Sequence, residues 1–178
     1  MSNRLFQGVI HQMKDSIDKT FGAITIVGNE VLTDKKLKRT MKKTNEKNKL
    51  VNFFRTKKFV EENFEADKQL IIDKYNEMGY RDATILVDSV SPHDDKTVNV
   101  YLEIDEGQRY YLRNVNWVGN TLYSAEQMDY LLRMKKGDVY NQKLLSERVA
   151  EDEDAISNLY YNNGYIFSSV EPVEVNIV

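Results

Sequence analysis

The chain has 178 residues, of which 41% are apolar, 30% are charged and none is cysteine. The apolar fraction is enough for one ordinary domain or two small ones, and no apolar run is long enough to cross a bilayer as a helix. The lack of cysteine excludes a disulfide scaffold, a thiolate metal site and a cysteine nucleophile. The formal net charge is −3, but the charges are unevenly distributed along the sequence.

Residues 1–19 are predicted to form an amphipathic helix, because their apolar residues recur at helical spacing. These apolar residues are Leu5, Phe6, Val9, Ile10, Met13 and Ile17. The segment lacks the basic start, apolar stretch and cleavage site of a signal peptide, so we expect any export signal to be missing from this chain. The helix either docks on its own domain or binds a partner or a second copy of the chain.

Residues 35–58 form a basic stretch, with eleven Lys or Arg and a single acid, Glu46. One interpretation is a solvated helix face followed by a loop. The alternative is a contact with lipid head groups or with an acidic partner. The candidate residues for that contact are Lys42, Lys43, Lys47 and Lys49. Aromatic residues that could stack on bases are few in this stretch, so nucleic acid is not an expected partner.

The sequence repeats itself once. Residues 24–29 (ITIVGN) recur as residues 115–120 (VNWVGN), and Gly79-Tyr80 recurs in the same order as Gly164-Tyr165. Two anchors in the same order predict two copies of one structural unit, which we place at residues 20–108 and 109–178.

Each copy is predicted to begin with a short strand, because apolar residues alternate with other residues before a Gly-Asn turn. The apolar positions are Ile24 and Ile26 in the first copy, and Val115 and Trp117 in the second. A one-sided apolar pattern of period two indicates a sheet with one covered face.

Two helices are predicted to follow the strand in each copy. The first helix starts at N-capping residues, Thr33 and Asp34 in one copy and Ser124 in the other. The second helix ends at Gly79 or Gly164, because glycine suits the left-handed position after a last turn. The apolar face of the second helix contains Phe64, Ile71, Tyr75 and Met78 in the first copy, and Leu145, Val149, Ile156 and Leu159 in the second.

Two further strands are predicted to close the first copy. The second strand spans about residues 82–90, and residues 91–96 form a turn. The third strand places Val98, Val100, Leu102 and Ile104 on one face. The predicted unit therefore belongs to the α+β class and has the order β-α-α-β-β, with two helices on one face of a three-stranded mixed sheet.

The second copy offers a single strand after its second helix, within residues 165–178, where Val173, Val175 and Ile177 alternate. It therefore lacks the last strand of the first copy, and this leaves backbone groups of the sheet exposed. We expect the gap to be filled by another chain, including a second copy in a homodimer, or to be left frayed.

No enzymatic site, metal or cofactor is expected from the sequence. His11 and His93 lack the spacing of metal ligands, and Asp94-Asp95 is typical of a turn. Residues 151–154 (EDED) could bind a cation weakly, although a solvated helix face is the simpler interpretation. The tyrosine pairs at residues 110–111 and 160–161 could stack on sugars or bases, but the local pattern favours one ring in the core and one outside.

The β-α-α-β-β unit resembles a POTRA domain. Residues 20–178 are similar to consecutive POTRA domains of the BamA family of outer-membrane β-barrel assembly factors, of the Bacteroidetes type. The matching stretches are residues 26–32 (IVGNEVL), 73–83 (DKYNEMGYRDA), 117–121 (WVGNT), 136–141 (KGDVYN) and 152–160 (DEDAISNLY). Residues 1–19 do not fit the pattern.

The resemblance implies a non-catalytic role in the periplasm, as the soluble part of an outer-membrane protein. POTRA domains hold nascent outer-membrane β-barrel proteins and dock accessory lipoproteins, partly by adding a strand to an exposed sheet edge. The second strand of each unit is such an edge. The implied partner-binding residues are Ala83, Thr84, Ile85, Leu86, Val87 and Asp88 in the first copy, and Ile166, Phe167, Ser168, Ser169 and Val170 in the second. The alternative is a rigid spacer that docks one dedicated partner or the membrane surface.

Overall fold

A computed structural model of the chain describes residues 19–44 and 58–175. These residues form two compact units. Unit 1 contains residues 19–44, 58–75 and 82–107, and unit 2 contains residues 76–81 and 108–175. The helix predicted within residues 1–19 lies outside the described residues, apart from its last position. None of the helices in the two described ranges has the length and apolar content needed to cross a membrane.

Unit 1 has the predicted element order. Its elements are β1 (Thr20–Val27), α1 (Asp34–Thr40), α2 (Glu61–Asn76, whose last residue is assigned to unit 2), β2 (Thr84–Pro92) and β3 (Thr97–Asp105). The predicted β-α-α-β-β unit is therefore confirmed, with element bounds that differ from the predicted ones by a few residues.

The strands of unit 1 form a mixed sheet of order β1-β3-β2. The last strand in the chain, β3, therefore lies in the centre, parallel to β1 and antiparallel to β2. Its apolar residues alternate as predicted, and all four are buried: Val98, Val100, Leu102 and Ile104. Because β3 is the ladder partner of both β1 and β2, the formation of either outer strand depends on β3.

The core of unit 1 joins this sheet to α1 and α2. Leu37 of α1 and Ile71 of α2 are fully buried. The rings of Phe21 on β1 and Phe59 pack edge-on, with their centroids 5.7 Å apart. The ring centroid of Phe59 in turn lies 6.1 Å from that of Phe64 on α2. Burial of several aromatic and aliphatic side chains of this size is the main term that stabilises such a unit.

The prediction that the Thr33 side chain caps α1 is wrong. Thr33 occupies the N-cap position, but its side chain makes no capping hydrogen bond. Instead, the amide of Asn29 donates to the Leu32 carbonyl at 2.8 Å and to the Asp34 carboxylate at 2.9 Å. The Gly-Asn pair after β1 therefore both turns the chain and fixes the start of the helix.

All the regular elements of unit 2 within the described residues are helical. Its elements are α3 (Ala125–Leu132), α4 (Gln142–Ser146), a π-helical turn (Glu147–Glu151) and α5 (Ile156–Asn162). Ser124 caps α3 as predicted, in a capping box with Gln127. The apolar core contains Met128, Leu132, Met134, Val149, Ile156 and Tyr160.

The single long helix predicted for residues 145–159 is wrong, because the helix breaks after the π-helical turn. Asp152 has an extended backbone and its N–H bonds to the Glu147 carbonyl, five residues back. The buried guanidinium of Arg148 then pairs with the carboxylates of Asp152 and Asp154. These carboxylates neutralise a buried charge, and this favours the break over continued helix.

The strands predicted at the start and end of the second copy are not formed within residues 108–175. Residues 114–117 and 166–171 belong to no ladder, and residues 165–168 form a turn in which Ser168 N–H donates to the Tyr165 carbonyl at 3.1 Å. The physical reason is the strand order seen in unit 1. Both predicted strands would pair with a central third strand, and residues 108–175 contain no counterpart of β3, so neither has a partner.

Candidate functional site

The candidate site is the outer edge of β2. In the order β1-β3-β2, only one edge of β2 is paired, and no described strand lies on the other edge. The N–H and C=O groups along that edge are free to pair with an added strand. Of the predicted residues, Thr84 to Asp88 lie in β2, whereas Ala83 precedes the strand and is buried.

A β-bulge explains the run of three apolar residues in β2. Ile85 is opposite Ile104 and Val87 is opposite Glu103, so Leu86 is the extra residue of the bulge. Leu86 and Val87 are both exposed, at 58% and 43%. A bulge interrupts the alternation of side chains between the two faces of the strand and increases the local twist. Both effects limit the register in which another strand can be added.

A charge pair lies beside the bulge. The ammonium group of Lys68 on α2 contacts the carboxylate of Asp88 on β2 and lies 2.7 Å from that of Glu65. Burial lowers the pKa of Lys68, but the bonds to Asp88 and Glu65 outweigh this effect and raise it overall. The charge of Asp88 is thus compensated within unit 1, so this position of β2 places no unpaired charge against an added strand.

The second predicted group of binding residues does not form a strand. Ile166 and Phe167 are exposed, and Ser168 closes a turn. Val170 is half-buried and packs against the core of unit 2, and Ser169 lies beside it. Partner binding by these residues stays a prediction, but it cannot use an existing strand edge.

Two of the four candidate lysines are described. Lys42 and Lys43 are exposed, and the backbone N–H of Lys43 donates to the Asp67 carboxylate at 2.9 Å. Lys47 and Lys49 lie outside the described residues. The contact with lipid or an acidic partner therefore stays a prediction.

The acidic run at residues 151–154 is not a solvated helix face, because only Glu151 belongs to the π-helical turn and residues 152–154 follow it outside any helix. Asp154 pairs with Arg148 at 2.9 Å and with Arg133 at 3.0 Å. The bonds to Arg148 hold the pKa of Asp154 below its usual value. With two of its four carboxylates engaged by arginines, the run is poorly suited to a cation.

The turn residue Asp94 behaves as the sequence predicts. Its carboxylate accepts hydrogen bonds from the N–H groups of Lys96 and Thr97 at 2.7 and 2.6 Å. The bond from Lys96 is the main reason why the pKa of Asp94 is lowered. Across residues 19–44 and 58–175, no group of three or more His, Asp or Glu side chains is arranged to hold a metal ion.

Unit 2 has a shallow depression that the sequence did not predict. It has a volume of about 380 Å³ and is lined by Tyr123, Glu126, Gln127, Tyr130, Leu131 and Leu159. Tyr130 is 81% exposed although it lies on α3 between the buried Met128 and Leu132. In the sequence, the signal that could have indicated this depression is an aromatic residue, Tyr130, outside the apolar face of an amphipathic helix.

The comparison with protein families identifies the class of the chain. The model of the POTRA family, described as "Surface antigen variable number repeat", matches residues 19–107 and residues 110–178. These two matches cover almost the whole sequence. The chain belongs to the POTRA family.

Two curated relatives are outer-membrane assembly factors. The chain is 30% identical over 154 residues to the outer membrane protein assembly factor BamA of Neisseria meningitidis serogroup B, which covers 84% of the chain and 19% of the relative. It is 29% identical over 147 residues to a putative outer membrane protein assembly factor of Treponema pallidum, which covers 80% of the chain and 16% of the relative. The chain thus spans less than a fifth of either relative. The Bacteroidetes type stays a prediction.

Solved structures show the same fold. The crystal structure of POTRA domains 3–5 of Haemophilus influenzae BamA matches with a TM-score of 0.56 and 25% identity, over 72% of this chain and 50% of that one. BamA of Haemophilus ducreyi lacking POTRA domains 1–3 matches with a TM-score of 0.52 and 19% identity, over 71% of this chain and 22% of that one. The predicted α+β fold with two POTRA repeats is confirmed.

Proposed function

We propose that this chain is a periplasmic part of an outer-membrane protein assembly factor, and that it binds nascent β-barrel proteins by adding one of their strands to β2. The observation that carries the proposal is the outer edge of β2, which pairs with no strand of the described residues in the order β1-β3-β2. The names of the two curated relatives, both outer-membrane protein assembly factors, support the assignment to this machinery.

Strand addition suits a binding partner that varies in sequence. An extended peptide pairs with an edge through its backbone, and backbone groups are the same in every client protein. Leu86 and Val87 add exposed apolar surface beside the edge, which favours clients with apolar residues at alternate positions. The strands of an unfolded β-barrel have this alternation.

The proposal includes the organisation and partners of the chain. Residues 20–108 and 109–178 are two POTRA units, and residues 1–19 are a separate segment. The partners are unfolded outer-membrane β-barrel proteins and the accessory lipoproteins of the assembly machinery. Binding requires neither catalysis nor a cofactor, because backbone hydrogen bonds and apolar contacts supply the affinity.

The alternative function is a rigid spacer that docks one dedicated partner or the membrane surface. The exposed Lys42 and Lys43 favour a contact with an anionic surface. The two functions differ in one respect that an experiment can measure: the spacer has no affinity for unfolded β-barrel strands.

The test is cysteine cross-linking, which is clean here because the chain has no cysteine. Leu86→Cys and Val87→Cys are combined with an unfolded β-barrel strand peptide that carries one cysteine at successive positions. Strand addition predicts that disulfide yield alternates with a period of two along the peptide, because successive side chains point to opposite faces. An amide chemical-shift titration then maps the affected residues, which we expect to lie within β2.

Val31→Cys is the matched control. Val31 is 40% exposed, close to the 43% of Val87, and belongs to unit 1 but not to the sheet. It should cross-link weakly and without alternation. Equal yields at Val31 and Val87, or no shift in β2 at millimolar peptide, would exclude strand addition and favour the spacer.

A further inference from the structure

The pairing of β2 with β3 determines which backbone groups of β2 point outward. The N–H of His93 donates to the Thr97 carbonyl at 3.0 Å, so these two residues form a hydrogen-bonded pair beside the hairpin turn. In an antiparallel ladder such pairs recur at every second residue. The register therefore gives three further hydrogen-bonded pairs: Ser91 with Asn99, Ser89 with Tyr101, and Val87 with Glu103. The residues of β2 between these pairs direct their backbone groups outward: Asp88, Val90 and Pro92.

Pro92 limits this outward edge on one side. Proline has no N–H group, so position 92 offers an outward carbonyl but no donor. Proline occurs in strands where its nitrogen does not face a ladder, and this agrees with the assignment from His93. The next position of the same phase is Asp94, whose N–H is directed to the Thr97 carbonyl at 3.3 Å.

The bulge at Leu86 limits the edge on the other side. Ile85 pairs with Ile104, the neighbour of Glu103 on β3. Because hydrogen-bonded pairs alternate along β3, Ile85 directs its backbone groups outward. It lies three residues before Asp88 rather than two, so a regular strand that pairs with Asp88 is out of phase at Ile85.

We propose that the edge of β2 is built for a short and reversible contact, in which about five residues of an extended segment pair with residues 88–92. This pairing window offers two outward N–H groups, those of Asp88 and Val90, and three outward carbonyls. In the part of the chain that the structure describes, no strand covers it. The inference rests on the proposed function, strand addition to β2, and adds the length, position and lifetime of the contact.

A contact of this length binds weakly. Each backbone hydrogen bond contributes a small net free energy, because the free segment already bonds to water. Ordering each residue of the segment costs a comparable amount. A bulge and a proline are also devices by which edge strands avoid permanent pairing with other chains. An edge with both devices suits a site that holds a segment briefly and releases it.

One side chain of the bound segment is specified by the face of the sheet opposite the buried Val100 and Leu102. On this face Ser89 of β2 lies beside Tyr101 of β3. Ser89 is exposed, and Tyr101 is 36% exposed. A side chain of the segment beside Ser89 lies against a small hydroxymethyl group and can reach over it to the tyrosine ring. A large aromatic residue fits this position best.

The experiment uses the full chain and a blocked nine-residue peptide, KTVTYTVTK, in which apolar residues alternate with threonine around a central tyrosine. Amide shifts of the labelled protein should move continuously with peptide concentration, as fast release requires, and most strongly at Asp88 and Val90. Val90→Pro removes an outward N–H group but no bond of the ladder with β3, so peptide affinity should fall at least about tenfold. Val90→Thr is the matched control, because it keeps the N–H group and the β-branched shape, and it should change the affinity less than about twofold.

Two further variants remove the limits of the window and should strengthen binding. Pro92→Ala adds an outward N–H group. Deletion of Leu86 places Ile85 two residues before Asp88, so that its outward groups come into phase. Each variant should raise peptide affinity by about two- to tenfold, the range for one or two added backbone hydrogen bonds. A gain of affinity cannot come from loss of folding, so these variants test the limits themselves.

Three results would overturn the inference. The first is that Val90→Pro binds as tightly as Val90→Thr, or accelerates exchange of the Ser89 and Ser91 amides, because the outward groups would then be others. The second is that neither Pro92→Ala nor deletion of Leu86 strengthens binding. The third is equal binding of a peptide in which threonine replaces the tyrosine, which should bind about two- to fivefold more weakly. Shifts that stay within β2 in these cases would leave strand addition itself intact, whereas no shift in β2 at millimolar peptide would exclude both.

Discussion

The buried carboxylate of Asp67 on α2 accepts a 2.9 Å hydrogen bond from the backbone N–H of Lys43, near the end of the first described stretch. The N–H of Thr44 donates to the same carboxylate. Both Asp67 and Thr44 are fully buried. One side chain thus fixes the backbone that follows α1 against α2, although the two are separated by more than twenty residues.

Asp67→Asn should destabilise unit 1 by about 1–3 kcal/mol, because the new amide places an N–H group against backbone donors and leaves buried groups unsatisfied. Amide hydrogen exchange of the β3 residues measures this change for unit 1 alone, which a global melting curve of a two-unit chain does not. Asp73→Asn, on the same helix with an exposed bond from Gln69, is the control and should change stability by less than about 0.5 kcal/mol. Equal losses of stability in the two variants would show that the hydrogen bonds to Asp67 do not stabilise unit 1.

The glycines of the repeated Val-Gly-Asn turn, Gly28 and Gly119, should respond differently to the same substitution. A Cβ at Gly28 would lie 2.0 Å from the Ile104 carbonyl oxygen, so Gly28→Ala combines this overlap, about 1–3 kcal/mol, with a left-handed alanine, about 1–2 kcal/mol. Gly119→Ala carries only the second cost, because no atom of the described residues lies within 4 Å of its Cβ. We therefore expect exchange in β3 to accelerate far more for Gly28→Ala than exchange in α3 does for Gly119→Ala. Equal losses would show that strain in the turn, rather than the neighbouring strand, decides both.

The sequence predicted unit 1 well because its signals are local. The alternation from Val98 to Ile104 identifies β3 without reference to any other element, and the positive φ of Gly79 matches its predicted place after the second helix. The same local reasoning found the capping box of Ser124. The bulge at Leu86 was not predicted, because an extra residue in one strand is defined only by its register against another.

Unit 2 shows where local reasoning fails. Val115 and Trp117 carry a strand pattern, yet a strand exists only if another strand pairs with it. The break after the π-helical turn depends on Arg148 reaching two carboxylates that follow it, which helix periodicity does not reveal. For the candidate site, the resemblance to POTRA domains implied an edge strand at residues 83–88, and residues 84–88 lie in the outer strand β2. The binding itself depends on a partner whose sequence is not in the chain.

Glu106 links the loop after β1 to α2, and this link can be measured. Its carboxylate accepts from the Val31 N–H at 2.9 Å and from the Tyr75 hydroxyl at 2.8 Å. Glu106→Gln should destabilise unit 1 by about 1–2 kcal/mol, because hydrogen bonds to a charged acceptor are the stronger ones.

A double-mutant cycle with Tyr75→Phe isolates the direct contact. We expect the two changes to be less than additive, with a coupling of about 1 kcal/mol. Glu103→Gln on β3 is the control, because no hydrogen bond joins it to Tyr75 among those described, and it should be additive with Tyr75→Phe. Additive effects of Glu106→Gln and Tyr75→Phe would contradict the hydrogen bond between these two side chains.

The Tyr140–Glu174 pair makes unit 2 sensitive to alkaline pH. Burial raises the pKa of Tyr140 above its ordinary value, and the hydrogen bond from its hydroxyl to the Glu174 carboxylate raises it further. The protonated phenol is therefore the form that the fold favours. Its contribution to stability is complete below the unfolded pKa of about 10 and is lost as the pH rises from there towards the higher folded pKa.

Denaturation followed by Trp117 fluorescence at increasing pH tests this prediction. Wild-type unit 2 should lose stability above about pH 10, and Tyr140→Phe should lose less of it over the same range. In tyrosinate absorbance, Glu174→Gln should bring the Tyr140 step back towards ordinary pH, because it removes the negative charge. Arg81→Met should move the step in the opposite direction, because the charge of Arg81 lowers this pKa. Identical pH profiles for wild type and Tyr140→Phe would show that the hydrogen bond between Tyr140 and Glu174 does not stabilise unit 2.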